Sequence, residues 1–88
     1  MCTYLTETLP LAGSAKGTAQ WLRFTKASVY VDHPYDAPYA HTLNIDLTDP
    51  EQGPSARVAL ELTEQAARAL IAAIERALAA APAGLASA

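Results

Sequence analysis

Two histidines, His33 and His41, flank a short proline-containing segment and are the residues best suited to chemistry. A neutral imidazole binds zinc, copper, nickel or iron, and its ordinary titration range lets it move protons near neutral pH. Two ligands do not close a metal site. A third and fourth would come from Asp36, Tyr39, Cys2 or a neighbouring subunit. Cys2 follows the initiator methionine, and removal of Met1 would present an amine and a thiol for chelation or nucleophilic attack. With no base placed beside it, Cys2 reads as an ordinary strand cysteine rather than a nucleophile. The histidine spacing is not that of HExxH or of paired CxxC motifs. The alternative is structural: both rings cap a hairpin end and hydrogen-bond loop carbonyls.

A second group is polar. Tyr30, Asn44, Asp46, Arg57 and Glu61 fall on one phase of the strand-like segments, with Ala59 among them. Arg57 there could hold a carboxylate in bidentate fashion. The same face also suits a homodimer contact, because tyrosine and arginine are common at interfaces. The run Gly13–Thr18 lacks the GxxxxGK[ST] spacing of a phosphate loop and does not lead into a helix. No serine, histidine and acid form a nucleophilic set, and no carboxylate pair is placed for acid–base work. Trp21, Phe24 and Tyr35 read as core or pocket wall rather than base-stacking platforms. No reaction is specified.

The elements that must position these residues follow from periodicity. Residues 3–9 alternate as a strand, which Pro10 either ends or leaves at a sheet edge. Leu11–Gly17 reads as a turn. Thr18–His33 is a second strand region in which Trp21, Ala27, Val29 and Val31 share one phase while Leu22 and Phe24 share the other. That change of phase places a bulge near Thr25 and Lys26. Thr42–Thr48 and Arg57–Leu62 alternate cleanly, with Leu43, Ile45, Leu47, Val58, Leu60 and Leu62 inward. Thr63 has the chemistry of an N-cap, and Ala67, Leu70, Ile71, Ile74 and Leu78 repeat at helical spacing until Pro82 and Gly84. Pairing Val31 with Leu43, Val29 with Ile45 and Ala27 with Leu47 sets His33 opposite His41, with Cβ atoms roughly 5 Å apart. Around that pair, Asp36, Tyr39 and Tyr4 complete the expected ligand pocket.

Composition bounds the function. The chain has 88 residues, is 51% hydrophobic and 17% charged, and carries a formal charge of −3. This is too apolar for intrinsic disorder, and it has no polybasic tract for nucleic acid or anionic lipid. No apolar run spans a bilayer and no signal-peptide pattern opens the chain. One cysteine forms no internal disulfide, which points to the cytoplasm. A core this small makes self-association a natural source of further burial.

The opening Met1-Cys2-Thr3-Tyr4-Leu5-Thr6-Glu7 is similar to that of small uncharacterised actinobacterial proteins. The block Asp32-His33-Pro34, Ala37-Pro38-Tyr39 and His41–Asp46 resembles the same family, as do Gly53–Val58 and Leu62-Thr63. The resemblance implies a bacterial, cytoplasmic setting and brings no activity or cofactor with it. The expected fold is α+β: a four-stranded antiparallel meander with one C-terminal helix on its apolar face. Residues 1–81 form one domain in this reading and 82–88 a frayed tail. The expected function is a small ligand- or metal-binding oligomer, with a divalent transition metal as the candidate cofactor. The alternative is a noncatalytic homodimeric interaction module.

Overall fold

A computed structural model describes residues 4–53 and 55–85. Cys2, and with it the question of a metal ligand or nucleophile at that position, lies outside the described residues. Strands β1 (Thr6–Lys16), β2 (Trp21–Asp32), β3 (Thr42–Thr48) and β4 (Arg57–Leu62) form one antiparallel sheet in sequence order, and helix α1 (Glu64–Ala80) follows. The α+β meander expected from the alternation is the fold of the chain.

The central hairpin has the register that the apolar residues demand. Ala27 pairs with Leu47, Val29 with Ile45 and Val31 with Leu43; β4 continues each row with Val58, Leu60 and Leu62. A slip of one residue would turn every one of these side chains to the opposite face, so the apolar pattern sets the parity of the pairing. Ala27, in the middle of the rows, is the buried apolar residue of the described chain, at 1% exposure.

β1 is an edge strand, one of the two alternatives Pro10 allows, but it is longer than expected. It does not stop at Pro10 but continues to Lys16, through the stretch that reads as a turn. Pro10 is tolerated because β1 is the edge strand, where a missing amide costs no ladder bond on the outer side. The irregularity expected at Thr25 and Lys26 is present, but the extra residue belongs to β1: Leu11 and Ala12 face Thr25 between the Pro10–Lys26 and Gly13–Phe24 pairs. The turn itself is displaced to residues 17–20, closed by the Gly17 amide donating to the Gln20 carbonyl at 2.7 Å. Gly13 serves in the strand because the Phe24 ring lies across it, where a Cβ would come 2.7 Å from Cζ. Since β3 pairs only with Lys26–Asp32, the segment Gly13–Phe24 projects as a two-stranded arm beyond the rest of the sheet.

α1 begins as expected. The Thr63 hydroxyl accepts from the Ala66 amide at 3.0 Å, and Glu64 lies in the positive first turn, paired with Arg68. The helix ends at Ala80, with Ala81 as its C-cap before Pro82. Residues 82–85 form a turn closed by the Leu85 amide donating to the Pro82 carbonyl at 3.0 Å. α1 lies against β3 and β4, and its apolar stripe remains accessible: Leu70, Ile71, Ile74 and Leu78 are 39%, 57%, 50% and 58% exposed.

The Gly13–Phe24 contact generates a stability prediction. Gly13→Val should cost about 1–3 kcal/mol through displacement of the ring, measured by chemical denaturation. Phe24→Leu in the same chain should recover part of that loss.

Candidate functional site

The loop from His33 to His41 closes the β2–β3 hairpin at the end of the sheet where α1 begins. Its two histidines face each other with ring centroids 4.5 Å apart and planes tilted by 31°. This is the juxtaposition that the hairpin register implies. His33 Nδ1 donates to the Ala40 carbonyl at 2.8 Å. The structural role foreseen for the rings, a hydrogen bond to a loop carbonyl, is therefore filled by His33. Its own amide donates to Asp32 Oδ1 at 2.7 Å. Among the described residues no three of His, Cys, Asp or Glu gather as a metal-ligand group.

The expected pocket residues are distributed around this loop rather than gathered at one point. His41 lines a groove of about 720 Å³ on the apolar face, between the sheet (Val31, Leu43, Leu62) and α1 (Ala67, Leu70, Ile74). His33 lines a smaller hollow on the opposite face, beside Tyr30, Asn44 and Arg57. Asp36 lines a third depression with Tyr35, Arg57 and Glu61. Tyr39 and Tyr4 are both exposed, Tyr4 ahead of the first residue of β1.

The outer face carries a connected polar network. Tyr30 donates its hydroxyl hydrogen to Asp46 Oδ2 at 2.7 Å, and Arg57 Nη2 donates to Asp46 Oδ1 at 2.7 Å. The hydrogen bond to Asp46 holds the Tyr30 hydroxyl above its ordinary pKa. Asp46 likewise raises Arg57, which stays charged throughout. Asn44 is buried, with its Oδ1 accepting from the Thr42 hydroxyl at 2.6 Å, and Ala59 sits opposite Asp46 in the β3–β4 ladder. The carboxylate partner that Arg57 was expected to seek in a ligand is supplied internally by Asp46.

Glu61 has a role that its residue type and strand position do not reveal. Its carboxylate accepts from the backbone amides of Ala37 at 2.8 Å, of Asp36 at 3.1 Å and of Tyr35. Three amides converging on one carboxylate latch the loop across the outer face of β4. They hold Glu61 below its ordinary pKa, with the Ala37 amide the largest cause and the Tyr35 amide the next. The only sequence signal for the latch is an acid at the loop end of β4, on the same phase as Tyr30 and Asn44. The amides it meets lie 24 to 26 positions away.

A depressed folded-state pKa stabilises the fold above the unfolded glutamate pKa, and that contribution disappears as pH falls through the folded value. The Glu61 contribution is accordingly complete at neutral pH and is lost at acid pH. Glu61→Gln should accelerate hydrogen exchange at the Tyr35, Asp36 and Ala37 amides and flatten the acid limb of the stability curve. Both effects are measurable by exchange mass spectrometry and by pH-dependent denaturation.

No helix of the described residues is long and apolar enough to cross a membrane. No curated protein and no solved structure matches the chain. One family model does, over residues 1–87, and it is described as a family of unknown function (DUF6295). The hairpin that pairs the histidines, the Glu61 latch and the half-covered sheet all lie within the matched span, and the chain belongs to that family.

Proposed function

We propose that the protein is a homodimeric interaction module in which a second copy covers the apolar face shared by the sheet and α1. What carries this reading is surface area. The chain exposes 6821 Å², whereas a compact monomer of 9.3 kDa exposes about 5,000 Å². Its radius of gyration is 14.5 Å, against about 12 Å for a compact chain of this length. The excess, about 1,800 Å² per chain, matches the area each partner loses in an obligate dimer. Among the exposed apolar side chains, Leu60, Leu70, Ile71, Ile74 and Leu78 lie on or face one side of the sheet. The outer face, with Tyr30, Asn44, Asp46, Arg57 and Ala59, is the less suited contact because its polar groups already bond to one another.

The second reading is a small-molecule or metal site at the histidine pair. The 4.5 Å ring separation and the groove of about 720 Å³ that His41 borders favour it. That volume is within the range of small-ligand pockets. A metal would be held by His33 and His41 and would need further ligands from Cys2, Asp36, Tyr39 or the partner chain. The two readings are compatible, because a second copy would roof the groove.

Sedimentation of untagged protein at micromolar concentration should give a dimeric mass. Ile74→Glu, which sets a charge on the exposed stripe, should shift the mass to monomer while circular dichroism keeps the strand and helix content. A wild-type monomer at high concentration overturns the first reading. Elemental analysis after incubation with zinc addresses the second: one metal per chain or per dimer, lost on His33→Ala with His41→Ala, is its expected result. No retained metal removes the metal version.

A further inference from the structure

The sheet has two outer edges, and they are finished differently. β1 forms one of them. Pro10 removes an amide from that strand, and Leu11 and Ala12 bulge against Thr25, so its row of backbone groups is broken. Both features are means by which edge strands avoid pairing with a further strand. β4 forms the other edge. It pairs with β3 through six consecutive residues, Arg57 to Leu62, without a shift in register, and it contains no proline, glycine or lysine. Among the described residues no strand lies on its far side. Alternate residues of such a strand direct amide and carbonyl away from their neighbour, a row that another strand can use.

The order of side chains along β4 is complementary to its own reverse. Pairing with β3 places Arg57, Ala59 and Glu61 on the outer face, opposite Thr48, Asp46 and Asn44, and Val58, Leu60 and Leu62 on the apolar face. A second β4, antiparallel to the first and centred on Ala59, sets Arg57 opposite the partner's Glu61 and Val58 opposite the partner's Leu60. Ala59 meets the partner's Ala59. Every pair then joins side chains of the same face, unlike charges meet twice, and a small residue falls on the axis. Centring on Val58 or Leu60 leaves one charge of each chain against Ala59. Centring on Arg57 or Glu61 sets like charges together. The loop amides that hold Glu61 are neutral donors, so its negative charge remains at this edge. The Arg57 guanidinium carries five donor hydrogens; Nη2 bonds to Asp46, and the side chain is 49% exposed.

We propose that β4 is an interaction edge for a second copy of this chain, joined by antiparallel β4–β4 pairing about a two-fold axis normal to the sheet through Ala59. Two four-stranded sheets become one of eight strands, the contact is isologous, and both helices stay on the same side. The hydrogen-bonding edge is separate from the apolar face assigned above to a second copy, so this contact neither needs nor excludes that one. Main-chain hydrogen bonds and the Val58–Leu60 rows supply affinity, and the charges select the register. A single strand pair buries less than the roughly 1,200 Å² of a stable interface. Edge pairing therefore requires a higher concentration than the face contact.

The test uses full-length Ile74→Glu protein, which lacks the face contact, followed by sedimentation from micromolar to millimolar concentration. It should pass from monomer to dimer in the upper part of that range. Ala59→Lys and Ala59→Glu, each added to Ile74→Glu, set a like charge against itself across the axis. Each should self-associate at least tenfold more weakly with unchanged circular dichroism. An equimolar mixture of the two should recover a dimer of mixed composition in native mass spectrometry, because position 59 faces its own copy. A second readout needs no substitution: in wild-type protein, amide exchange at residues 57–61 should slow with concentration through the same range, while residues 6–16 of β1 do not respond. An Ile74→Glu protein monomeric throughout, with wild-type β4 exchange independent of concentration, overturns the edge contact and leaves the face dimer standing. Association that ignores both charges at position 59, or a mixture that gains nothing, overturns pairing centred on Ala59. Wild-type protein that is monomeric at micromolar concentration and dimerises only near millimolar, with the same response at position 59, overturns the face contact and supports the edge.

Discussion

The structure depends on a mismatch of widths. A helix with its side chains is about 10 Å across, whereas four strands set about 4.8 Å apart make a wider sheet. One helix therefore covers about two strands, and α1 lies against β3 and β4, the pair nearest to it in the chain. On the apolar side of β1 and β2, Leu9, Trp21 and Val31 stay exposed, although Ala27 is buried. Nearly everything distinctive about the molecule follows: the accessible helix stripe, the long groove beside His41, and a surface larger than the mass of the chain accounts for. Among the described residues α1 is the one α-helix, and closing the layer is the part proposed for a second copy.

The two faces of the sheet solve different problems. On the outer face, polar groups are satisfied within the chain, with Asp46 between Tyr30 and Arg57, Asn44 bonded to Thr42, and Glu61 binding the loop amides. Such a network orders the loop and sets the position of the histidines, since His33 and His41 stand at the two ends of the segment that Glu61 fixes. On the inner face the side chains are apolar and incompletely covered, and no hydrogen bond can relieve that exposure.

Much of this was legible in the residues. Clean alternation in Thr42–Thr48 and Arg57–Leu62 set both strands to the residue, because a period of two has no other consistent reading. Matching Val31 to Leu43 determined the hairpin register and with it the meeting of the histidines. Thr63 announced the helix through a local hydroxyl-to-amide bond. Pro10 and Gly13 were harder: as isolated residues they signal a break. Whether a proline sits at a solvent-facing edge, or an aromatic ring lies over a glycine, depends on neighbours more than ten positions away.

The sequence by itself determined the element order, the face on which each strand residue falls and the pairing of His33 with His41, since all three follow from short-range periodicity and steric parity. Only the tertiary structure decided where α1 settles, that Glu61 holds the loop, and that the arm extends past the sheet with Trp21 uncovered. Those outcomes depend on distances between segments far apart in the chain, and on how much surface one helix can cover. No local pattern of residues encodes either quantity.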